Sequence, residues 1–362
     1  MLRTAVGGLF YWSFLALSAT LGICFMTVPQ LPLLLISPRL FRNTVDAFVS
    51  YYLMFVVATM ELLYGIKFVI SGDKIESIPG ADNLIVMNHR TRLDWMFFWC
   101  CLYRHSFKSI YNLKISLKST LRHLLGLGWA TQFSAFIFME RSFDKDKHIL
   151  RNMLHYYRRV RKDINLLFFV EGTDKTQTTT QRSHAFADKN NLPRYDYVLH
   201  PRVTGFSHTM QLMSQGNLDS LYDVTVAYKH TIPQSELAIL KGQFPQEVHF
   251  HVKRHKKEQL PVEDEALQDY CKELWKEKEE QLREFYTGDK RTLYSWGDQH
   301  SVECSQLRRF WLVLCIIFWI SATVLSVYLI LTNSLVFYYV LASCLGMAIV
   351  SRYGLDTILA KL

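Results

Sequence analysis

The sequence predicts an α/β fold in which helices flank a central mixed sheet, with membrane helices added at the N- and C-terminal ends. Short apolar runs of β-like composition alternate with helical patterns over roughly residues 65–255, as expected where helices cover a sheet. Long uncharged stretches occupy residues 4–38 and 310–351. Together these observations separate a globular centre from two apolar ends.

The two uncharged stretches indicate a membrane protein. Half of the 362 residues are hydrophobic, 20% are charged, and the mean hydropathy is +0.05. A bilayer span needs about 20 apolar residues, so we expect one N-terminal anchor over roughly residues 7–28. No small-residue cleavage site follows a short apolar core, which argues against a removed signal peptide. The C-terminal stretch is long enough for two spans broken at residues 332–334, with buried core helices as the alternative.

The segment that follows the anchor is less easily assigned. Residues 48–64 are apolar but contain Glu61, so they fit a second span, an interfacial helix or a helix packed on the globular part. We favour the last two interpretations. The predicted organisation is therefore a membrane anchor with this second hydrophobic helix over residues 1–64, a cytosolic domain over 65–300 and a C-terminal membrane segment over 301–362.

Local patterns place the elements of the central domain. The expected strands cover residues 84–87, 136–139, 166–170, 224–228 and 248–252. Helical patterns cover residues 94–103 and 148–162, and the polar residues 173–193 predict a loop. Residues 263–286 repeat apolar positions at three- and four-residue steps, which predicts an amphipathic helix. Its polar face is largely acidic, so we expect it to pack on the domain rather than lie on an anionic membrane.

Net charge and cysteine content narrow the class of partner. The net charge is +9 and the pI about 9.1, which favours acidic partners. Nucleic acid is disfavoured because the sequence has no zinc-finger spacing, RNP motif or recognition-helix signature. Lipid phosphate or a phosphorylated co-substrate fits a membrane protein better. The seven cysteines form no C-x-x-C pair and three lie in apolar spans, so we expect neither a disulfide framework nor a metal site.

Basic residues beside the apolar stretches predict the orientation of the domain. They follow the first anchor and lie on both sides of the C-terminal pair: Arg39, Arg42, Arg308, Arg309, Arg352 and Lys361. Two C-terminal spans would return the chain to its starting side, which places both basic flanks there. The positive-inside rule then puts the central domain in the cytosol.

Polar clusters follow four of the apolar runs. They are His89–Asp94 (HRTRLD), Phe136–Arg141 (FIFMER), Phe168–Thr173 (FFVEGT) and His200–Arg202 (HPR). Ligand sites of α/β folds collect beyond the ends of strands. We therefore expect the four clusters to form one shared site.

The first cluster has the residue types of a general base. Five residues of helix rotate the chain by roughly 140°, so His89 and Asp94 can pair only if the histidine lies in the turn before a helix. The carboxylate would then orient one ring nitrogen and leave the other free to accept a proton. No G-x-S-x-G nucleophile elbow is present. Such a dyad suits activation of a substrate hydroxyl, although H-x4-D alone also arises by chance.

The other clusters supply groups suited to a phosphate or an oxyanion. Arg141 and Arg202 carry planar guanidinium groups that match phosphate geometry, and Gly172 lets the backbone approach an oxyanion. Each arginine could instead be an ordinary surface residue. Glu171 could orient the site or pair with one of these arginines.

In this order the four clusters resemble the sequence blocks of the glycerophospholipid acyltransferases, the 1-acylglycerol-3-phosphate acyltransferase superfamily. The likeness covers about 115 residues, with Val170 standing where the family usually has proline. Further stretches are most similar to the lysocardiolipin acyltransferases: NHRTRLDWMF, LHPRVTGF, VTVAY, IPQSE and EVHFHVKR. The resemblance implies an acyltransferase domain in a multi-pass protein of the endoplasmic reticulum membrane.

The resemblance also implies the reaction and the roles of residues. It implies transfer of a fatty acyl group from acyl-CoA to a lysophospholipid, with no metal and no cofactor beyond acyl-CoA as co-substrate. Lysocardiolipin, lysophosphatidylinositol, lysophosphatidylglycerol and lysophosphatidic acid are all acceptors to consider. It makes His89 and Asp94 catalytic, and it assigns substrate binding to Asn88, Arg92, Arg141, Glu171, Gly172, Thr173, Pro201 and Arg202.

Two other functions stay open at the level of the sequence. One is an inactive lipid-binding or lipid-transfer membrane protein, for which Val170 and the basic surface are the support. The other is a lipid hydrolase that uses water in place of the acceptor. Acyl transfer from labelled acyl-CoA separates the transferase from the inactive protein, and release of free fatty acid without lysolipid favours the hydrolase.

Overall fold

The computed structural model of the chain describes residues 2–124, 126–288, 293 and 305–361. The strands in these residues are β1 (Lys67–Gly72), β2 (Asp82–Met87), β3 (Leu113–Lys118), β4 (Ile137–Met139), β5 (Asn165–Phe168), β6 (Leu218–Tyr228) and β7 (Glu247–Lys256). They form one sheet in the order β1-β7-β6-β2-β5-β3-β4. Neighbouring strands are parallel except β6 and β7, which are antiparallel. The predicted central mixed sheet is confirmed.

Helices surround this sheet and extend from both ends of the chain. In the described residues they are α1 (Ala5–Gly22), α2 (Leu33–Ile36), α3 (Pro38–Ala58), α4 (Asp94–His105), α5 (Phe107–Tyr111), α6 (Leu127–Phe133), α7 (Phe143–Arg159), α8 (Gln177–Lys189), α9 (Val203–Ser214), α10 (Glu236–Leu240), α11 (Asp264–Thr287), α12 (Gln306–Thr332), α13 (Ser334–Tyr353) and α14 (Leu355–Lys361). Short π-helical turns continue α1 over Ile23–Thr27 and α3 over Thr59–Leu63.

The two faces of the sheet are covered by different helices. Residues of α1, α3, α4 and α12 pack in one apolar cluster with β1, β6 and β7. Residues of α7, α9, α11 and α14 pack in a second cluster. The amphipathic pattern of α11 explains its place, because Leu267, Leu274, Trp275 and Leu282 are all buried. The expected packing of this helix on the domain is what the structure has.

One prediction of local structure was wrong. Residues 173–193, which we expected to form a loop, contain the 13-residue helix α8. Its first turn is closed by a capping box in which the side chains of Thr176 and Thr179 each bond the other's backbone N–H. Threonine-rich composition concealed the helix because threonine has a low helix propensity. The same threonines stabilise its first turn.

The apolar ends provide four helical segments that are long and apolar enough to cross a membrane. They are Ala5–Ile36, Pro38–Leu63, Gln306–Thr332 and Ser334–Tyr353. Pro38–Leu63 differs from the rest because 67% of its most apolar window is buried inside the protein, against 28%, 17% and 11% for the others. This burial supports the interpretation of residues 48–64 as a helix packed on the globular part. The C-terminal pair breaks at Asn333, within the predicted connector.

A buried ionic cluster attaches α3 to the sheet. Asp46 Oδ1 lies 2.8 Å from Arg42 and 2.8 Å from Lys114 of β3, and its Oδ2 lies 3.4 Å from Lys162. All four side chains are at most 3% exposed. Arg42 is therefore a structural ion-pair partner, and it does not serve as the exposed membrane-flanking charge that we had expected. Arg39 is exposed.

Candidate active site

His89 and Asp94 lie together at the carboxyl end of β2, at the centre of the sheet. The chain leaves β2 at Met87, turns, and enters α4 at Asp94, so the histidine stands in the turn before the helix. His89 Nδ1 lies 3.0 Å from Asp94 Oδ2. Within the residues that the structure describes, His89 Nε2 has no hydrogen-bond partner. The His89 side chain is 14% exposed.

Four hydrogen bonds hold the Asp94 carboxylate in one orientation. Besides His89, the backbone N–H and the hydroxyl of Thr91 donate to it at 2.9 and 3.0 Å. The Tyr228 hydroxyl, at the end of β6, donates to Asp94 Oδ1 at 2.6 Å. Burial raises the pKa of Tyr228 well above its ordinary value and the Asp94 carboxylate adds to the shift, so this hydroxyl remains a donor. Tyr228 was not among the expected site residues, although it lies in the VTVAY stretch.

The His89 ring and backbone are also fixed. The ring stacks on Phe169 with centroids 4.1 Å apart. The preceding residue, Asn88, exchanges two hydrogen bonds with the backbone of Val226, so it connects β2 to β6 and does not face a substrate. Its predicted substrate-binding role therefore has no support from its position. Asn88 positions the turn that carries His89.

Glu171 is buried beneath the turn. Its carboxyl group accepts hydrogen bonds from the backbone N–H groups of His89 and Leu199 and from the Trp275 indole, all at 3.2 Å. Burial raises the pKa of Glu171 to about 7, against the opposing effect of His89 and of these donors. The structure thus places Glu171, itself in the third cluster, as a link between the first cluster and Leu199, which directly precedes the fourth. It is 2% exposed and makes no ion pair with Arg141 or Arg202 in the described residues.

Three exposed arginines stand at the mouth of the site. Arg92 Nε lies 3.7 Å from Asp174 Oδ2. Partial burial lowers the pKa of Arg141, Asp174 opposes that shift, and the guanidinium groups of Arg202 and Arg92 add to it. The three cations therefore share one local field. Arg141 also has a φ of 62°, in the left-handed region that non-glycine residues seldom adopt.

The third and fourth clusters meet at Gly172. Arg202 N donates to the carbonyl of Val170 at 2.9 Å, and a Cβ on Gly172 would lie 3.6 Å from the Arg202 side chain. Gly172 has a φ of 73°, which glycine adopts without strain. Val170, in the place of the family's proline, is buried and keeps the turn through this backbone bond. Thr173 and Pro201 are partly exposed at the same edge.

Residues outside the four clusters hold these loops in place. The Gln234 side chain accepts from Arg90 at 3.1 Å and donates to the Lys175 carbonyl at 2.9 Å. Glu279 of α11 accepts from the backbone N–H groups of residues 196–198 at 2.8 to 3.1 Å. Only long-range packing brings these groups to the site. The IPQSE stretch was the sole sequence signal for Gln234, and Glu279 had none.

A narrow apolar cavity lies against α4. Its volume is about 60 Å³. Trp95 and Trp99 of α4 line it, and Trp95 directly follows Asp94 in the chain. Residues of α1, α3, α6 and α12 complete the wall, including Gly22, Tyr52 and Trp319. The cavity therefore lies between α4 and the apolar helices, and neither His89 nor Asp94 is part of its lining.

The residues that the structure describes contain no cluster of side chains suited to bind a metal ion. Within the described ranges, no group of three His, Cys, Asp or Glu side chains is placed to hold a metal ion. The residues that the structure does bring together are a histidine, carboxyl groups and arginines. Such a site can move a proton and bind an anion.

Comparisons with known proteins bear on this arrangement. A family model described as "Acyltransferase" matches residues 70–229, and one described as "Acyltransferase C-terminus" matches residues 238–319. "Lysocardiolipin acyltransferase 1" of Gallus gallus is 47% identical over 78% of this chain and 74% of that relative. "Lysophosphatidylinositol acyltransferase 10" of Caenorhabditis elegans is 41% identical over 68% of this chain and 63% of its own length.

A plant protein named as an acyltransferase is also similar to this chain. "Probable 1-acyl-sn-glycerol-3-phosphate acyltransferase 5" of Arabidopsis thaliana is 34% identical over 79% of this chain and 72% of that relative. The matched region includes every sequence cluster that forms the site. With the identity and coverage of these relatives, the chain belongs to the glycerophospholipid acyltransferase family.

Proposed function

We propose that this protein transfers a fatty acyl group from acyl-CoA to the free hydroxyl of a lysophospholipid, in phospholipid synthesis or remodelling. The observation that carries the proposal is the His89 Nδ1 to Asp94 Oδ2 contact of 3.0 Å, which leaves Nε2 free to face a substrate. A base that is oriented by a carboxylate, without a protein nucleophile beside it, suits direct activation of a hydroxyl group.

The proposed reaction proceeds without a covalent intermediate on the protein. His89 Nε2 takes the proton of the acceptor hydroxyl while its oxygen attacks the thioester carbonyl carbon. The imidazolium that forms is stabilised by Asp94. The carbon–sulfur bond then breaks, and the CoA thiolate leaves with the proton returned by His89.

The exposed arginines support binding of an anionic acceptor. Arg92, Arg141 and Arg202 share one local field at the mouth of the site. Guanidinium groups bind phosphate through two parallel hydrogen bonds, so the glycerol phosphate of a lysophospholipid fits this position. Gly172 and Thr173 lie beside Arg202; the Gly172 N–H already donates to the Phe169 carbonyl at 3.0 Å, so the Thr173 backbone is the part that can approach the thioester oxyanion.

The apolar cavity supports a fatty acyl donor. Trp95, the residue after Asp94, lines it, so we infer that the acyl chain of a thioester at His89 enters the cavity from this end of α4. Its volume of about 60 Å³ accommodates only part of a fatty acyl chain. The rest of the chain would require side chains such as Trp319 to move, or would continue between helices toward the bilayer.

The acceptor could be any of several lysophospholipids. The relatives are named for lysocardiolipin, lysophosphatidylinositol and 1-acylglycerol 3-phosphate. These acceptors share a phosphate and a free hydroxyl on glycerol, which are the two groups that the site would bind. Lysophosphatidylglycerol has the same two groups.

We further propose that the protein resides in the endoplasmic reticulum membrane with its catalytic domain in the cytosol. The contacts at the two ends of the C-terminal helical hairpin support a domain that lies on one side of the membrane. At the start of α12 the Arg308 carbonyl accepts from the Tyr103 hydroxyl at 2.9 Å. Just after α13, Asp356 pairs with Arg122 at 2.8 Å. Both ends of the hairpin therefore meet the domain, and Asn333 lies at the far end.

A transfer assay tests this function. Purified protein in detergent is given labelled acyl-CoA and, in separate reactions, each of the four lysophospholipids. The expected product is the acylated phospholipid, and the acceptor giving the largest kcat/KM identifies the head group. Free fatty acid formed without any acceptor would instead indicate a hydrolase, and lipid binding without turnover would indicate an inactive lipid-binding protein.

A further inference from the structure

A polar cavity lies beside the His89 turn, on the side of α8. Its volume is about 340 Å³, within the usual range for ligand pockets. Eight residues line it: Arg90, Lys175, Thr176, Gln177, Thr180, Gln181, His184 and Gln234. None of these described residues is acidic.

The cavity is connected to the catalytic histidine through the backbone. Arg90 directly follows His89, and Lys175 N donates to the His89 carbonyl at 2.8 Å. Gln234 joins the two sides by bonding both Arg90 and the Lys175 carbonyl. A group bound to Arg90 in the cavity would therefore contact the residue next to the base.

The electrostatic character of the cavity favours an anion. Arg90 and Lys175 supply two positive charges, and α8 begins there with its N-terminal N–H groups, the end of a helix that attracts anions. Partial burial lowers the pKa of Lys175, and Arg90 lowers it further. The Thr180 hydroxyl is buried and has no hydrogen-bond partner in the described part of the chain.

This cavity is distinct from the arginine group at the mouth of the site. Asp174 lies between the two, 3.7 Å from Arg92 on one side and 3.3 Å from the Gln234 amide on the other. The proposed reaction has two anionic substrates, the acceptor phosphate and the CoA phosphates. The arginine group and the α8 cavity are two basic surfaces next to one base, so each anionic substrate can have a separate binding surface.

We propose that the α8 cavity binds a phosphate group of the CoA moiety of the donor. This inference rests on the proposed function and adds the donor-binding residues to it. Arg90 and Lys175 would pair with the phosphate oxygens, while the Thr180 hydroxyl and the Gln177 N–H at the start of α8 would donate hydrogen bonds. Phosphate oxygens bind such groups with charge-assisted hydrogen bonds.

Lys175→Gln tests the proposal, with Lys189→Gln as the matched control. Both lysines lie at α8, but Lys189 is in its last turn, exposed and away from the cavity. Binding of CoA to the purified protein is measured by calorimetry, without any turnover. Lys175→Gln should weaken CoA binding about tenfold, as expected for one charge-assisted bond, and Lys189→Gln should leave it within twofold.

Three further measurements make the outcome decisive. Binding of 3′-dephospho-CoA shows which phosphate the cavity holds. If it is the 3′-phosphate, wild type and Lys175→Gln should bind 3′-dephospho-CoA equally. If it is the diphosphate, the tenfold difference should persist. The KM for the lysophospholipid should not change. Thr180→Val, which keeps the shape of the side chain, should also weaken CoA binding and replaces Lys175→Gln if that variant does not fold.

The failures of the two proposals can be told apart. If the wild-type protein transfers acyl groups but Lys175→Gln and Thr180→Val bind CoA normally, the cavity assignment is wrong and the proposed function stands. If the acceptor KM rises in place of the CoA dissociation constant, the cavity binds the acceptor head group. If wild type binds CoA but transfers nothing, the proposed function fails.

Discussion

At the scale of single residues, the site depends on groups that fix Asp94. His89, Thr91 and Tyr228 together give this carboxylate four hydrogen bonds. A carboxylate held this rigidly can orient an imidazole and stabilise its charged form. The tautomer with the proton on Nδ1 then leaves the lone pair of Nε2 able to accept a proton.

Tyr228→Phe should slow acyl transfer without weakening substrate binding. The variant loses the 2.6 Å bond to Asp94, and a hydrogen bond to a charged group contributes about 1.5–3 kcal/mol. We expect kcat to fall about tenfold or more, with both KM values nearly unchanged. Tyr222→Phe is the control, because that buried hydroxyl on the same strand bonds the backbone of Glu76. Equal kcat values for the two variants would show that Tyr228 does not act through Asp94.

Glu171→Gln should change the pH dependence of the rate. The pKa of Glu171 is raised to about 7 by burial, so the group loses its proton as the pH rises through 7. The carboxylate then accepts from all three N–H groups and stabilises positive charge on His89. The wild-type rate should therefore fall more steeply below pH 7 than the rate of Glu171→Gln, whose side chain is neutral at every pH.

Glu279→Gln is the matched control for this pH profile. Glu279 is also buried and accepts three backbone N–H groups, but these belong to residues 196–198. Glu279→Gln should therefore lower the rate by a similar factor at every pH. Parallel profiles for wild type and Glu171→Gln would contradict the role that we give to Glu171.

Part of the site could be predicted from the sequence and part could not. His89, Asp94, Glu171 and Gly172 lie in short stretches where residue type and spacing already suggest chemistry. Tyr228 and Glu279 could not be found in this way, because they reach the site only through the pairing of β2 with β6 and the packing of α11. Asn88 was expected to bind substrate because it lies next to His89 in the sequence, but its side chain forms hydrogen bonds with the backbone of β6.

At the scale of elements, the same distinction holds. The central strands β2 and β5 could be predicted because they are buried on both faces and appear as continuous apolar runs. The structure also has β1 and β3, which were not predicted. The first follows the apolar residues 48–64 after only two further residues. In β3 the buried Lys114 pairs with Asp46 and interrupts the apolar pattern. The helix α8 was hidden by its threonines.

Trp319→Leu should shift the acyl-chain preference toward longer donors. Trp319 of α12 is buried in the wall of the apolar cavity, where it packs on Tyr52 with ring centroids 5.0 Å apart. A Cβ at Gly22 would lie 3.0 Å from its ring, so the wall is close-packed at this point. A smaller side chain lengthens the space available to the chain. The ratio of kcat/KM for long and short acyl-CoA should rise several-fold.

Trp311→Leu is the control for this cavity. Trp311 is on the same helix but is 51% exposed and lies outside the cavity lining. Its donor preference should match that of wild type. An unchanged preference in Trp319→Leu would mean that the chain does not reach α12.

At the scale of the whole molecule, the proposed reaction requires the domain to face the source of acyl-CoA. The exposed loop at residues 190–194, just after α8, should lie in the cytosol, and the connector at Asn333 should lie in the lumen. A glycosylation acceptor inserted at residue 191 should stay unmodified in intact microsomes. The same tag at Asn333, extended by a spacer, should be glycosylated. Modification of the residue 191 tag would overturn this orientation.

The central claim is that His89 is the base of an acyl-CoA-dependent transfer. The most direct measurement compares purified wild type and His89→Ala for transfer of labelled acyl groups from acyl-CoA to the preferred lysophospholipid. General-base assistance contributes about 10²–10⁴-fold, so the account predicts a loss of at least about 10²-fold in kcat with the same Tm and the same accumulation in membranes. Activity of His89→Ala within twofold of wild type would contradict it.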